Sequence, residues 1–181
     1  TAVMQAVGRL ADRGVLSPVN FELRLRDPSN DQALRQMAKR FSVEDMVSIL
    51  PPLPYRDALA EMLSADALLL LQGENSNPAV PAKLYEYLRA HRPLLACTHV
   101  AGETAKVLRK LGISTIAPLT DAQSIESLLQ RWIDDHESVL RELPDEASIA
   151  AFSRGHLTAE LAALLAALPA KHCTLWATNR T

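Results

Sequence analysis

The chain has 181 residues, 48% of them hydrophobic and 22% charged, which is the balance of one globular domain long enough to bury a real core. That balance excludes disorder, collagen and coiled coil as whole-chain descriptions. With 19 basic and 21 acidic residues the net charge is −2, so no basic excess points to nucleic acid and no block of like charge points to a membrane surface.

Two cysteines, Cys97 and Cys173, cannot make a disulfide framework or a thiolate metal site, and they suit a reducing, cytoplasmic setting. The opening residues do not read as a secretory signal, and no apolar stretch has the length of a membrane span. The richest run, Ala67 to Leu71, is strand-length. The first residue is Thr1, already inside a helical pattern, and the expectation is a piece cut from a longer protein.

Taken in order, Met4 to Leu10 has helical apolar spacing and ends near Gly14. Asn20 to Leu25 reads as a strand, Asp27 to Asn30 as a turn and Asp31 to Arg40 as a helix. Met46 to Leu50 is a second strand, stopped by Pro51-Pro52, and Tyr55 to Leu63 is a helix. Asp66 to Leu71 reads as a central parallel strand buried on both faces. The polar stretch Gln72 to Pro78 leads to a helix from Pro81 to about Ala90. Strands at Pro93 to Cys97 and Ile113 to Ala117 alternate with helices at Glu103 to Leu111 and Ala122 to Trp132. Helices alone follow, at Asp135 to Leu143, Ser148 to Phe152 and Leu157 to Leu168, before a polar tail.

Strands separated by single helices predict an α/β fold: a Rossmann-like, doubly wound parallel sheet of five short strands with extra C-terminal helices. A sixth strand is expected to be missing upstream, leaving one sheet edge unpaired.

Ligands of such sheets bind beyond the carboxyl ends of the strands. The loop after Leu71 is the most unusual of these. It leads into Val80-Pro81-Ala82-Lys83, where Pro81 fits the first helical position and Val80 the N-cap. Val80 has no side-chain oxygen, so the amides of Ala82 and Lys83 are left free, as a phosphate site requires. Lys83 opposes the helix dipole by ~0.3–1 kcal/mol, and a bound anion would reverse that sign. Glu86 shares its helix face, so a plain solvated Lys83–Glu86 pair is the competing reading.

The segment from Tyr55 to Ala96 resembles the donor-binding half of a family 4-like (group 1) glycosyltransferase, a retaining enzyme of the GT-B architecture. The matching features are Ser64-Ala65-Asp66 before an apolar strand, a polar loop, a P-x-K-x-x-E-Y-L helix (Pro81, Lys83, Glu86, Tyr87, Leu88) and an R-P-L-L-A strand (Arg92 to Ala96). Phe152 to Leu165 is similar to the closing helices of such chains. The order of elements matches from Thr1 to about Leu168, while the specific motif covers some forty residues.

The resemblance implies a Rossmann-like nucleotide-sugar-binding domain over residues 1–134, lacking its first strand. It implies C-terminal helices packing on that domain over 135–170 and a tail over 171–181. Glu86 would be the second acid of the family's Glu-x7-Glu motif and would bind the donor ribose hydroxyls, accepting two hydrogen bonds from a vicinal diol. The amides around Ala79 to Ala82, Val80 and Ala82 included, would hold the diphosphate with Lys83. The first acid falls at Pro78, which supplies no carboxylate, so Glu74 or the Asn75 to Asn77 run, Asn77 foremost, would contact the sugar instead. The loop Pro51 to Pro54 would lie beside the base.

The implied partners are the nucleotide-sugar donor and an N-terminal GT-B domain of the same full-length chain. Nucleic acid is not among them, any peripheral membrane association belongs to the full-length enzyme, and no cofactor or metal is implied. The family's basic phosphate-binding loop lies upstream of the first helix, so this chain alone is not expected to be a complete catalyst, and its catalytic residues stay unassigned.

Other chemistry finds little footing. The histidines (His91, His99, His136, His156, His172) lack ligand spacing. There is no Gly-x-Gly-x-x-Gly, Walker A or nucleophile elbow. Cys97 reads as a small buried hydrophobe and Trp132 as core. Two alternatives remain open: a non-catalytic Rossmann-like interaction module, favoured by Pro78, and a nucleotide-sugar epimerase with the same fold and donor site.

Overall fold

The computed structural model describes residues 2–168. The chain divides into two compact units, one up to Pro144 and one from Asp145 onward. The first carries five strands in two small parallel sheets interleaved with helices, an α/β arrangement consistent with a Rossmann-like fold.

Helix α1 (Ala2–Asp12) is buried along most of its length, and the chain leaves it through Gly14 at φ +71°, a left-handed conformation open to glycine. Strand β1 (Leu23–Arg26) begins later than the alternation predicts. Asn20 is occupied in a turn: its Oδ1 accepts from Ser17 N at 2.7 Å and its Nδ2 donates to Val15 O at 3.1 Å. Helix α2 (Asp31–Arg40) is capped by Asn30, and β2 (Val47–Leu50) pairs with β1 in parallel, Leu23 opposite Val47 and Arg26 opposite Leu50. Helix α3 (Tyr55–Ser64) follows the exposed segment Pro51-Pro52-Leu53-Pro54.

The second sheet has the order β3-β4-β5: β3 (Leu68–Leu71), the fully buried β4 (Leu94–Cys97) and β5 (Ile116–Ala117). Helix α4 (Ala82–Ala90) joins β3 to β4, and α5 (Glu103–Lys110) joins β4 to β5. Strand β5 is shorter than predicted: Ile116 N folds back onto Ser114 O at 2.7 Å, which breaks the extended run, and Ser114 N donates to Glu142 Oε2 at 2.7 Å. Helix α6 (Ala122–Asp134) is capped by Asp121, and α7 (His136–Leu140) by Asp135.

A single sheet of five strands was expected; the strands instead form two sheets, because no ladder joins β1 to β3. Both sheets nevertheless feed one core. Val3, Met4, Val7 and Leu10 of α1 and Ile125 and Leu129 of α6 share it with Leu95, Cys97 and Ala117, and Leu23, Leu25 and Leu69 pack against it. Close approach is needed at Gly8, where a Cβ would stand 2.8 Å from Phe41 O. Trp132 packs on the same core, as its helical spacing predicts.

In the second unit, α8 (Glu146–Ala150) is capped by Asp145 and α9 (Arg154–Ala166) by Ser153. The predicted tail over 171–181 lies outside the described residues. Among the described residues, no helix is long and apolar enough to cross a membrane.

Candidate functional site

The loop after β3 is held from beneath by one buried side chain. Period-two alternation sends Leu68, Leu70 and Gln72 to the same face, and Leu70 and Gln72 are 3% and 7% exposed. The Gln72 backbone N continues the ladder, donating to Cys97 O at 3.0 Å. Its Nε2 donates to Ser76 O at 2.9 Å and Ala79 O at 2.8 Å, while its Oε1 accepts from Thr98 Oγ1 at 2.9 Å. A buried primary amide that makes three hydrogen bonds fixes the path of the backbone it touches.

The far side of the loop is tied to α5. Glu103 N donates to Asn77 O at 3.0 Å, and Thr104 Oγ1 donates to Ala79 O at 3.3 Å. Gly102 permits this contact, since a Cβ there would lie 3.1 Å from His99 O and 3.3 Å from Asn77 O. The loops after β3 and β4 therefore interlock at the carboxyl ends of those strands.

The loop delivers the N-terminus of α4. Pro81 is its N-cap (φ −68°, ψ 140°), not its first helical residue as predicted; Ala82 takes that place. Extended backbone at Pro81 lets its carbonyl accept from Leu84 N at 2.9 Å, and no side chain caps the helix. The expectation that Val80 leaves the helix uncapped thus passes to Pro81, whose ring has no acceptor.

Ala82, Lys83 and Glu86 are exposed, while Val80 and Asn77 are half-buried. Among the described residues no ion pair joins Lys83 to Glu86 or engages either of them. Burial, and then the nearby Glu86 charge, hold the Tyr87 phenol above its ordinary pKa. Among the described residues, Asn77 Oδ1 is buried without a hydrogen-bond partner. Pro78, where the first acid was sought, is exposed. Glu74 opens a one-turn 3-10 helix (Glu74–Ser76), and its side chain lies outside those described.

Two features escaped the sequence reading. Gln72 has the look of a polar loop residue in sequence, although alternation from Leu68 and Leu70 places it on the buried face. Arg26 was not singled out, yet its Nε donates to Glu61 Oε2 at 2.9 Å and its NH1 to Pro51 O at 2.8 Å, which ties α3 and the Pro51 to Pro54 loop to β1. Those Arg26 hydrogen bonds are the main cause of the low Glu61 pKa. Cys97 is buried, and desolvation pushes its thiol up to about 12, so it is packing and not a nucleophile.

No protein-family model matches the chain, and no curated protein matches it.

Proposed function

We propose that this chain is the donor-binding domain of a retaining glycosyltransferase, one half of a GT-B enzyme that takes a sugar from a nucleoside diphosphate. The observation that carries the reading is the loop over residues 72–81, locked by the buried Gln72 and ending in an uncapped helix. Lys83 and Glu86 follow within two turns, and among the described residues no ion pair ties up either of them. An N-terminus with free amides and an adjacent cation suits a diphosphate. An exposed carboxylate one turn further suits a ribose diol.

In this reading the Ala82 and Lys83 amides and the Lys83 ammonium bind the diphosphate. Glu86 binds the ribose, Val80 and Asn77 line the approach, and Glu74 or Asn77 meets the sugar. The acceptor comes with an N-terminal domain of the full-length chain. The second reading, a non-catalytic module, rests on Pro78, which puts no carboxylate where the first acid belongs.

Thermal melting of the full-length protein with millimolar nucleoside diphosphates distinguishes the two. The donor reading predicts a rise in Tm with at least one of them, reduced in Lys83→Ala. Flat melting curves for every base, with the fold intact, favour the non-catalytic module.

A further inference from the structure

A groove of about 280 Å³ runs between α1 and the end of α2. Both helices run into the amino ends of the strands that follow them, β1 and β2, so the groove lies at the amino edge of the first sheet. The loop over residues 72–81, by contrast, leaves the carboxyl end of β3. Gln5, Arg9 and Asp12 line one wall of the groove at helical spacing, and Arg40, Phe41 and Ser42 line the other. Gly8 brings the walls together, since a Cβ there would stand 2.8 Å from Phe41 O.

Three locally unfavourable features meet in this groove. Asp12 is the last residue of α1, where the negative end of the helix dipole disfavours a carboxylate. Ser42 stands at φ +54°, a left-handed conformation that strains a residue with a side chain. Arg40 and Asp12 carry opposite charges into one groove, yet among the described residues no ion pair engages either of them. Arg40 lies instead over the Phe41 ring, 5.6 Å from its centroid, and Phe41 is packed against the core, which holds the cation in place. Arg9 is only loosely engaged. Its NH1 is 3.5 Å from Glu126 Oε2, while Arg13 holds Glu126 Oε1 at 3.2 Å, so Arg9 can turn to the groove without stranding that carboxylate. Local costs of this kind gather where a site needs them.

We propose that this groove binds a free α-amino acid, its carboxylate on Arg40 and Arg9 and its ammonium on Asp12. The mixed lining selects for both charges. A plain anion meets Asp12 and the negative carbonyl end of α2, and a plain amine meets two guanidinium groups. A free amino acid carries both charges on one carbon and bridges cations and acid that do not reach each other. Its carboxylate suits the guanidinium fork, and its ammonium relieves the dipole-opposed Asp12. The volume is slightly below the roughly 300–1,000 Å³ of drug-sized sites, which suits one amino acid and not a peptide. This inference stands apart from the nucleotide-sugar reading and uses none of its residues.

Amide chemical shifts of the 181-residue chain test it, with each of the common amino acids added to about 10 mM. At least one is expected to move the Gln5, Gly8, Asp12 and Ser42 signals saturably, with a Kd of about 1 mM or tighter. The same molecule without its carboxylate, or without its ammonium, binds at least tenfold more weakly. Asp12→Asn and Arg40→Gln, both exposed positions, each weaken binding at least tenfold and leave the remaining signals in place. Lys39→Gln, on the same helix end but outside the groove, leaves the Kd unchanged. The proposal is overturned if no amino acid gives saturable shifts at these signals. It is overturned equally if binding survives both Asp12→Asn and Arg40→Gln, or if inorganic phosphate, the amine or the acid binds as tightly as the zwitterion.

Discussion

Gln72 shows what one residue contributes to the candidate site. Gln72→Leu keeps the volume but removes one hydrogen bond from each of the Ser76 and Ala79 carbonyls, which keep those from Ala79 N and Thr104 Oγ1, and strands the Thr98 hydroxyl. Losing two neutral hydrogen bonds and leaving one buried hydroxyl without its partner costs about 1–3 kcal/mol, and urea unfolding is expected to show a loss of that size. Faster exchange at the Ser76 and Ala79 amides should accompany it, and unchanged stability would show that the loop holds itself. Titration offers a second residue-scale expectation. Hydrogen bonds from Arg26 depress Glu61, those from Arg24 and Ser48 depress Glu22, and Ser124 depresses Asp121. Groups with lowered native pKa values add stability above their unfolded pKa of about 4, and lose it as pH falls through the native values. Tm is therefore expected to be flat from pH 6 to 8 and to drop below about pH 4. Glu61→Gln should make that acid drop shallower. The sequence reading found Lys83 and Glu86 because they sit in a motif. It passed over Gln72 because a glutamine next to Gly, Asn and Ser looks like loop until the strand's period is extended by one residue.

Among elements, strand and helix positions were legible and their ends were not. All five strands fall inside or beside the predicted runs, because short apolar segments between helical patterns have few other readings. The ends depend on side chains that reach back to the backbone. Asn20 delays β1, Glu142 holds Ser114 just ahead of β5, and Asp145 and Ser153 start α8 and α9 earlier than apolar spacing suggests. Glycine contacts were not legible either, since sequence does not say which helix lies across α1. Gly8→Ala pushes a methyl against Phe41 O. Helix propensity alone would make that change favourable, but overpacking of this kind costs about 1–3 kcal/mol. Chemical denaturation is expected to show net destabilisation; a more stable variant would mean that α1 and the end of α2 separate easily.

On the scale of the whole molecule, the pattern of strands and helices predicted parallel sheets, and the structure contains them. One sheet became two because strand order depends on which edges meet, and edge pairing leaves no local trace in sequence. The second unit carries its own expectation. Leu157, Leu161, Leu164, Leu165 and Leu168 are all exposed, Leu164 most of all at 68%. Leu157, Leu161, Leu164 and Leu165, spaced at four, three and one residues, lie along one side of α9, with Leu168 just past its end, and an exposed apolar stripe of this kind favours association. Sedimentation velocity is expected to show concentration-dependent self-association that Leu161→Lys with Leu164→Lys abolishes. A strict monomer at high concentration would contradict this.

The central claim is that α4 meets a nucleotide sugar, and Glu86 tests it most directly. Glu86→Gln and Glu86→Ala are made in the full-length protein, and nucleoside diphosphate release is followed with a panel of nucleotide sugars that differ in base. A charge-assisted hydrogen bond to the ribose is worth about 1.5–3 kcal/mol. Glu86→Gln is therefore expected to lower kcat/KM for the preferred donor roughly tenfold or more, with a larger loss in Glu86→Ala and the fold unchanged. Kinetics identical to the parent in both variants would contradict the donor-site assignment.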